Sequence, residues 1–476
     1  MIQNLLSKYR NLSKPVKASL WFVVSNIFLK GISFITLPIF SRLLSTSEYG
    51  IVSVYSSWVA LVSIITTLTI WGDVFEVELA KQSDNSIISS FQGLATFITC
   101  SFLIVSILVL DKVSAVLGIS EFLVCCMYLE VLAQIPLNLW LTERRCNFEY
   151  KSTIAITSLI AVLNPLIGVV AVIHSPYKAE ARIISNLSIH LVLGIATFII
   201  NQKKGKAFFD KERWEYAFHS SIVLVPHYLS TQVLNQSDRV MINRLCSSSD
   251  AGIYSVAYNF AMLLQLVTNG IHASLTPHIY RSLSNHETKK LGKQITGITF
   301  MVAVITLALI CVIPDVFKWM LPESYYEALW VIPPLAASAF FMFVYPLFAS
   351  IEFYYGENKG VTTASLICAI VNIILNYAFV KVFGFIAAAY TTLICYILFS
   401  VCHYFFMKWA LEKNNIQGKV YDIKSLSVIS VAVILISIGI VPLYERYAIR
   451  WGITLCIVII AVIYRKRIFE IFKNLH

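Results

Sequence analysis

The chain has 476 residues, of which 58% are hydrophobic and only 13% charged. A soluble domain carries about a quarter of its residues as charges, so a water-bound globule is excluded and most of the surface must face lipid. The formal charge of +11 has no basic soluble face to sit on, which excludes a nucleic-acid footprint. It fits the loops of a membrane protein, with anionic lipid headgroups as partners.

Residues 1–17 are basic and amphipathic. The apolar run after them has full span length and no small-x-small cleavage site, so we expect a surface-lying segment rather than a removed signal. A spanning helix takes roughly 20 apolar residues, and about fourteen such runs follow. They cover residues 18–40, 51–72, 88–110, 115–141, 153–173, 180–200 and 217–236, then 252–276, 293–313, 327–351, 361–381, 384–407, 425–443 and 449–464. The short alternating segments of a transmembrane barrel are absent. The expected class is therefore an all-α polytopic membrane protein.

Lysine and arginine set the orientation. Lys8, Arg10, Lys14 and Lys17, then Arg144, Arg145 and Lys151, then the stretch from Lys203 to Arg213 fall on one face. Lys289, Lys290 and Lys293, then Lys408, Lys413, Lys419 and Lys424, then Arg465, Lys466, Arg467 and Lys473 join them. The positive-inside bias makes that face, and both termini, cytoplasmic. Span 2 ends in the acidic cluster Asp73, Glu76 and Glu78, read as a solvated inner rim.

One stretch is used twice. The run from Arg42 through Ser45, Glu48 and Gly50 to Val54 aligns without a gap with Arg244 through Ser247, Asp250 and Gly252 to Val256. Ala161-Val162-Leu163-Asn164 matches Ala369-Ile370-Val371-Asn372, and Lys151 matches Lys359 on the same offset. An even number of spans per repeat inserts both copies the same way, related by an axis along the membrane normal. The organisation expected is an N-terminal six-helix lobe over 1–200, a polar linker over 201–216 and a second six-helix lobe over 217–410. An additional helix pair and basic tail occupy 411–476.

These residues carry a resemblance. Lys30-Gly31, Pro38, Ser41-Arg42-Leu43-Leu44-Ser45 and Glu48-Tyr49-Gly50, with Asp238, Gly252-Ile253-Tyr254, Pro277, Gly384 and Ala387-Ala388-Ala389, look like bacterial polysaccharide biosynthesis transporters. These are the Wzx-type O-antigen flippases of the multidrug/oligosaccharidyl-lipid/polysaccharide exporter (MOP) superfamily. The resemblance implies transfer of an undecaprenyl-diphosphate-linked oligosaccharide from the cytoplasmic to the periplasmic leaflet of a bacterial inner membrane. It also implies, as partners, a polysaccharide polymerase and a chain-length regulator. A diphosphate and a sugar chain cannot cross hydrocarbon unaided, so a cationic polar cavity with alternating access is expected. The alternatives are a multidrug or metabolite exporter of the same superfamily, or a membrane-embedded polymerase or ligase.

The candidate residues follow from charge at membrane depth. Lys30, midway along span 1, would attract the diphosphate or else pair with Glu130, because an intramembrane charge needs a partner or a function. In span 7, His227, Gln232 and Asn235 lie near one face and could bind sugar hydroxyls. Asp238 or His227 could take a coupling proton, while Asp238 and Arg239 could simply close the outer end as a local pair. Glu130 and His190 are further relay candidates, each with a packing role as the alternative. Arg42 and Arg244 stand before the repeated turns, as hairpin fasteners or outward gates. Trp58, Trp71 and Trp140 read as interface belt or sugar-stacking residues. No nucleotide-binding glycine loop, metal-ligand spacing or nucleophile–base pair occurs, so neither an enzyme nor a cofactor is expected.

Overall fold

The computed structural model describes residues 13–82, 84–285, 287–416, 420–457 and 459. Lys8, Arg10, Lys419, Arg465, Lys466, Arg467 and Lys473, most of the expected surface segment and the end of the last span lie outside them, as does the side chain of Lys289. Among the described residues the chain is helical throughout, without strands. It divides into two compact units, Met1–Gln232 and Val233–His476.

The first unit holds α1 (Lys14–Leu43), α2 (Thr46–Thr67), α3 (Asp73–Lys81), α4 (Ser86–Leu108), α5 (Leu110–Leu117), α6 (Glu121–Cys146), α7 (Tyr150–His174), α8 (Lys178–Gly205) and α9 (Lys211–Ile222). Helix α10 (Val225–Leu245) crosses the boundary. The second unit continues with α11 (Ser248–Ala261), α12 (Leu264–Ser284), α13 (Thr288–Met320), a 3-10 turn and α14 (Ile332–Tyr354). It ends with α15 (Asn358–Phe383), α16 (Ile386–Lys413), α17 (Ile423–Gly439) and α18 (Tyr447–Ile457).

Among the described residues, eleven segments are long and apolar enough to cross a membrane. Helix α10 has the length but is too polar to join them, and α17 and α18 are shorter apolar helices. Together these account for the fourteen expected spans. Three spans differ in detail. Span 4 divides at Gly118, whose left-handed φ of 67° ends α5 before Ser120 caps α6. Span 7 breaks between Ile222 and Val225, ahead of Pro226, whose missing N–H suits a first helical turn. Span 10 opens as a 3-10 turn at Glu323–Trp330 before Pro333 and Pro334 start α14.

Within each unit the same helices dominate the packing. Helix α6 lies along α8 in the first, and α14 along α16 in the second. Lipid is as apolar as leucine, so close approach and shape hold such pairs together. Gly194 of α8 shows how close: a Cβ there would fall 2.5 Å from the Ala133 carbonyl oxygen of α6. By contrast α1 and α7 expose Ile35, Leu166 and Val170, a surface that hydrocarbon covers at no cost.

The repeated stretch becomes the same reversal twice. Ser45 caps α2 by accepting from the Glu48 N–H at 3.2 Å, and Glu48 Oε2 accepts from the Ser45 N–H at 2.7 Å. Ser247 caps α11 by accepting from the Asp250 N–H at 3.1 Å. A second duplicated turn joins α6 to α7 and α14 to α15. Phe148 and Gly356 both take positive φ, 54° and 75°, and the Glu149 and Glu357 N–H groups reach back to the Arg144 and Glu352 carbonyls at 2.8 and 2.9 Å.

Candidate functional site

Each unit closes a polar network around one buried carboxylate. In the first unit this is Glu130 of α6, 4% exposed. Its Oε2 accepts from the Tyr55 hydroxyl of α2 at 2.8 Å. Its Oε1 accepts from Asn186 Nδ2 of α8 at 2.6 Å and from Gln134 Nε2 at 3.3 Å. His190 Nδ1 stands 3.2 Å from the same oxygen, without the alignment of a hydrogen bond. The chain of amides runs on: Asn164 Nδ2 of α7 donates to Asn186 Oδ1, and Arg182 Nη1 of α8 donates to Asn164 Oδ1, each at 2.5 Å. The Arg182 guanidinium lies 4.4 Å from the centre of the Phe40 ring of α1, a cation–π contact. Glycine at 168 makes that seat available, because a Cβ there would come within 3.0 Å of both Arg182 Nη1 and Phe40.

In the second unit the carboxylate is Asp238 of α10, 1% exposed. Asn376 Nδ2 of α15 donates to Oδ1 at 2.7 Å, while the hydroxyls of Tyr254 (α11) and Thr392 (α16) donate to Oδ2 at 2.5 and 2.6 Å. Asn372 accepts from Ser237 at 2.7 Å and from Asn376 at 3.2 Å. Thr391 donates to Asn376 Oδ1. With three donors and no cation within ion-pair distance among the described residues, Asp238 is held entirely by hydrogen bonds. Buried carboxylates persist only when satisfied in this way.

Two sequence expectations need correction. Lys30 does not pair with Glu130: it is exposed on α1, with no carboxylate within 4.0 Å among the described residues, while Glu130 is already filled by Tyr55 and Asn186. Asp238 and Arg239 do not form a local end pair either. Adjacent residues on a helix point about 100° apart, and Arg239 instead donates to the Asn235 carbonyl at 2.9 Å and to Gln236 Oε1 at 2.7 Å. Its guanidinium lies over Tyr258 at 4.2 Å.

The other candidates are placed as follows. Asn235 Oδ1 accepts from the Tyr396 hydroxyl at 2.9 Å and the Tyr258 hydroxyl at 3.4 Å. His227 and Gln232 are half-buried on α10. Arg42 and Arg244 are exposed in the last turns of α1 and α10, where a cation favours the helix dipole. Trp58 donates to the Leu117 carbonyl at 2.8 Å, and Arg144 lies over the Trp140 ring.

Arg182, Asn186, Tyr55, Asn376 and Thr392 escaped the sequence reading. Arg182 was visible as a charge just inside span 6. The hydroxyls and amides carried no signal, since a polar residue in an apolar helix does not name its partner. Outside the spans, the rim of the first unit is tied by ion pairs. Lys204 binds Glu143, and Arg213 binds Asp84, whose carboxyl is held well below the usual carboxylate range by the Ser86 amide first and by Arg213.

The helical topology and the two matching units define a multi-pass, all-α membrane fold. The lipid II flippase MurJ, in an inward closed conformation, superposes with a TM-score of 0.68 at 14% identity, covering 94% of this chain and 100% of that one. An inward-facing multidrug resistance MATE family transporter of the MOP superfamily gives 0.62 at 11% identity, covering 81% and 95%. The chain belongs to the polysaccharide biosynthesis protein family, whose profile matches residues 16–283. A MatE profile also matches residues 224–378. Among sequence relatives, the Lsg locus putative protein 1 of Haemophilus influenzae is 23% identical over 373 residues, 75% of this chain and 89% of that one. The probable low-salt glycan biosynthesis flippase Agl15 of Haloferax volcanii is 21% identical over 403 residues, covering 81% and 82%. The resemblance read from the motifs is thus borne out.

Proposed function

We propose that the protein flips an undecaprenyl-diphosphate-linked oligosaccharide from the cytoplasmic to the periplasmic leaflet of a bacterial inner membrane, by alternating access along a cationic polar path. Family membership sets the class, and the observation that carries the substrate is Lys30. An exposed cation in the middle of a membrane-length helix, with no carboxylate within reach among the described residues, needs an anionic partner. A diphosphate supplies one. Gln232, His227 and Asn235 then bind sugar hydroxyls. Asp238 is the coupling carboxylate, with His227, Glu130 and His190 as relay groups and Arg239 fixing the helix beside Asp238. Arg42 and Arg244 fasten the two outer reversals that gate release. Both termini are cytoplasmic, and the two units act as the moving halves. A polysaccharide polymerase and a chain-length regulator receive the product, and anionic lipids hold the basic inner face.

The test is Lys30→Ala beside Lys30→Arg, with surface glycan and membrane-inserted protein measured together. Export falling at least about tenfold in the alanine variant, with arginine retaining part of it, is expected for a charge whose partner is bound cargo. Normal export with alanine removes the diphosphate role. Reporter fusions at residue 445 should be active and those at 415 inactive, and the reverse would overturn the orientation. The MatE match over 224–378 favours one second reading, an exporter of small molecules. Loss of the protein would then change drug sensitivity and leave surface glycan intact.

A further inference from the structure

Another buried acid, which neither network uses, lies at the end of the second unit's core. Glu352 in the last turn of α14 and His403 of α16 are both 0% exposed, with His403 Nδ1 2.7 Å from Glu352 Oε1. Their outer atoms, Glu352 Oε2 and His403 Nε2, are buried and have no hydrogen-bond partner among the described residues. The enclosure is tight on every side. Tyr345 stacks on the imidazole with ring centres 5.5 Å apart, and Phe399 packs at 4.7 Å. The backbone of Gly360 on α15 lies over the carboxylate, so that a Cβ there would come within 2.7 Å of Oε2.

The first unit's own acid–imidazole contact, Glu130 with His190 at 3.2 Å, lies elsewhere along α6 and α8, and the positions aligned with Glu352 and His403 carry no such pair. On the interval that aligns α7 with α15 and α8 with α16, position 352 corresponds to Arg144 and position 403 to Ile195. Arg144 neutralises the turn acid Glu149 of its own unit. Because position 352 is acidic, the matching Glu357 turns instead to Lys413, at 2.6 Å. The surrounding ionisable groups are otherwise engaged or outward-facing. Tyr421, before α17, donates to the Leu347 carbonyl at 2.9 Å, and His278 of α12 meets Gln294 of α13 at 2.9 Å. Lys359 is exposed at the start of α15. Cys402, beside His403, and its partner Cys368 of α15 are further titratable neighbours.

We propose that Glu352 and His403 form a proton-binding site that latches α14, α15 and α16 together at this end of the second unit. With one proton between them the pair is neutral overall. Once it leaves, a carboxylate faces a neutral imidazole in an enclosure with no other side-chain donor among the described residues, and an uncompensated buried charge is costly. Water must then enter, and the helix ends must part. Proton binding closes the latch and proton loss opens it. This goes beyond the flippase reading and does not depend on which cargo is carried.

The experiment is amide hydrogen exchange on the full-length protein in nanodiscs between pH 5.5 and 8.5, corrected for the intrinsic pH dependence of exchange. In the wild type, protection over residues 353–357 and 404–413 should fall on the order of tenfold as pH rises. Glu352→Gln, which keeps a hydrogen-bonding partner for the imidazole, and His403→Asn, which keeps an amide near Nδ1, should each flatten that dependence. Lys413→Gln should leave it in place. A flat wild-type profile overturns the latch, as does persistence of the pH dependence in either Glu352→Gln or His403→Asn.

Discussion

The two units fold through the same reversals yet hold opposite charges at corresponding places. The junction of the first and fifth spans with the sixth contains a cation in unit one: Arg182, over Phe40 and beside Asn164. The corresponding junction in unit two contains an anion, Asp238, beside Asn372, Asn376 and Thr392. The exchange turns on one aligned position. Residue 168 is glycine, which leaves space for the guanidinium, and its counterpart 376 is asparagine, which reaches the carboxylate. Each unit also borrows a tyrosine from its second helix to satisfy its carboxylate, Tyr55 in one and Tyr254 in the other. On the capped-turn alignment these tyrosines lie three residues apart, so the same helical face serves both. Duplication has preserved the frame and let the charge diverge.

The largest expected effect comes from removing the anion. Asp238→Ala leaves three buried donors without an acceptor and should cost about 2–4 kcal/mol. Glu130→Ala, whose donors include partly exposed Asn186 and Gln134, should cost less, about 1–3 kcal/mol. Thermal unfolding in detergent reads both, and an equal or reversed order would break the comparison. Next comes the charge-setting position. Gly168→Asn should destabilise by about 1–3 kcal/mol through collision with Arg182 and Phe40. Combining it with Arg182→Ala should recover part of the loss, and strict additivity of the two changes would show that residue 168 does not make the guanidinium's seat.

The preserved frame predicts equality. Ser45→Ala and Ser247→Ala should each cost about 1 kcal/mol, the usual worth of an N-cap. A loss in only one unit would show that the turns are similar in sequence alone. The smallest effect is at the rim of the first unit. Asp84 ionises below the ordinary carboxylate range when folded, so its contribution is fully present above about pH 4 and is lost as pH falls below it. Asp84→Asn should remove that acid-dependent part of stability and nothing at neutral pH beyond the small worth of an exposed pair.

The sequence by itself determined the membrane class, the spans, the duplicated reversal at Arg42–Val54 and Arg244–Val256, and the family. These follow from local quantities: apolar length, capping residues and repetition along one chain. It also marked Lys30, Glu130, His190 and Asp238, because a charge within an apolar run stands out without any knowledge of its neighbours. Only the tertiary structure decided whom those charges meet. Glu130 could have served Lys30, but Tyr55 and Asn186 reach it first, from helices 75 and 56 residues away in sequence. A helix pattern says which face a side chain is on and is silent about the helix opposite. The same limit hid Glu352 and His403, whose 51-residue separation becomes 2.7 Å only once α14 lies along α16.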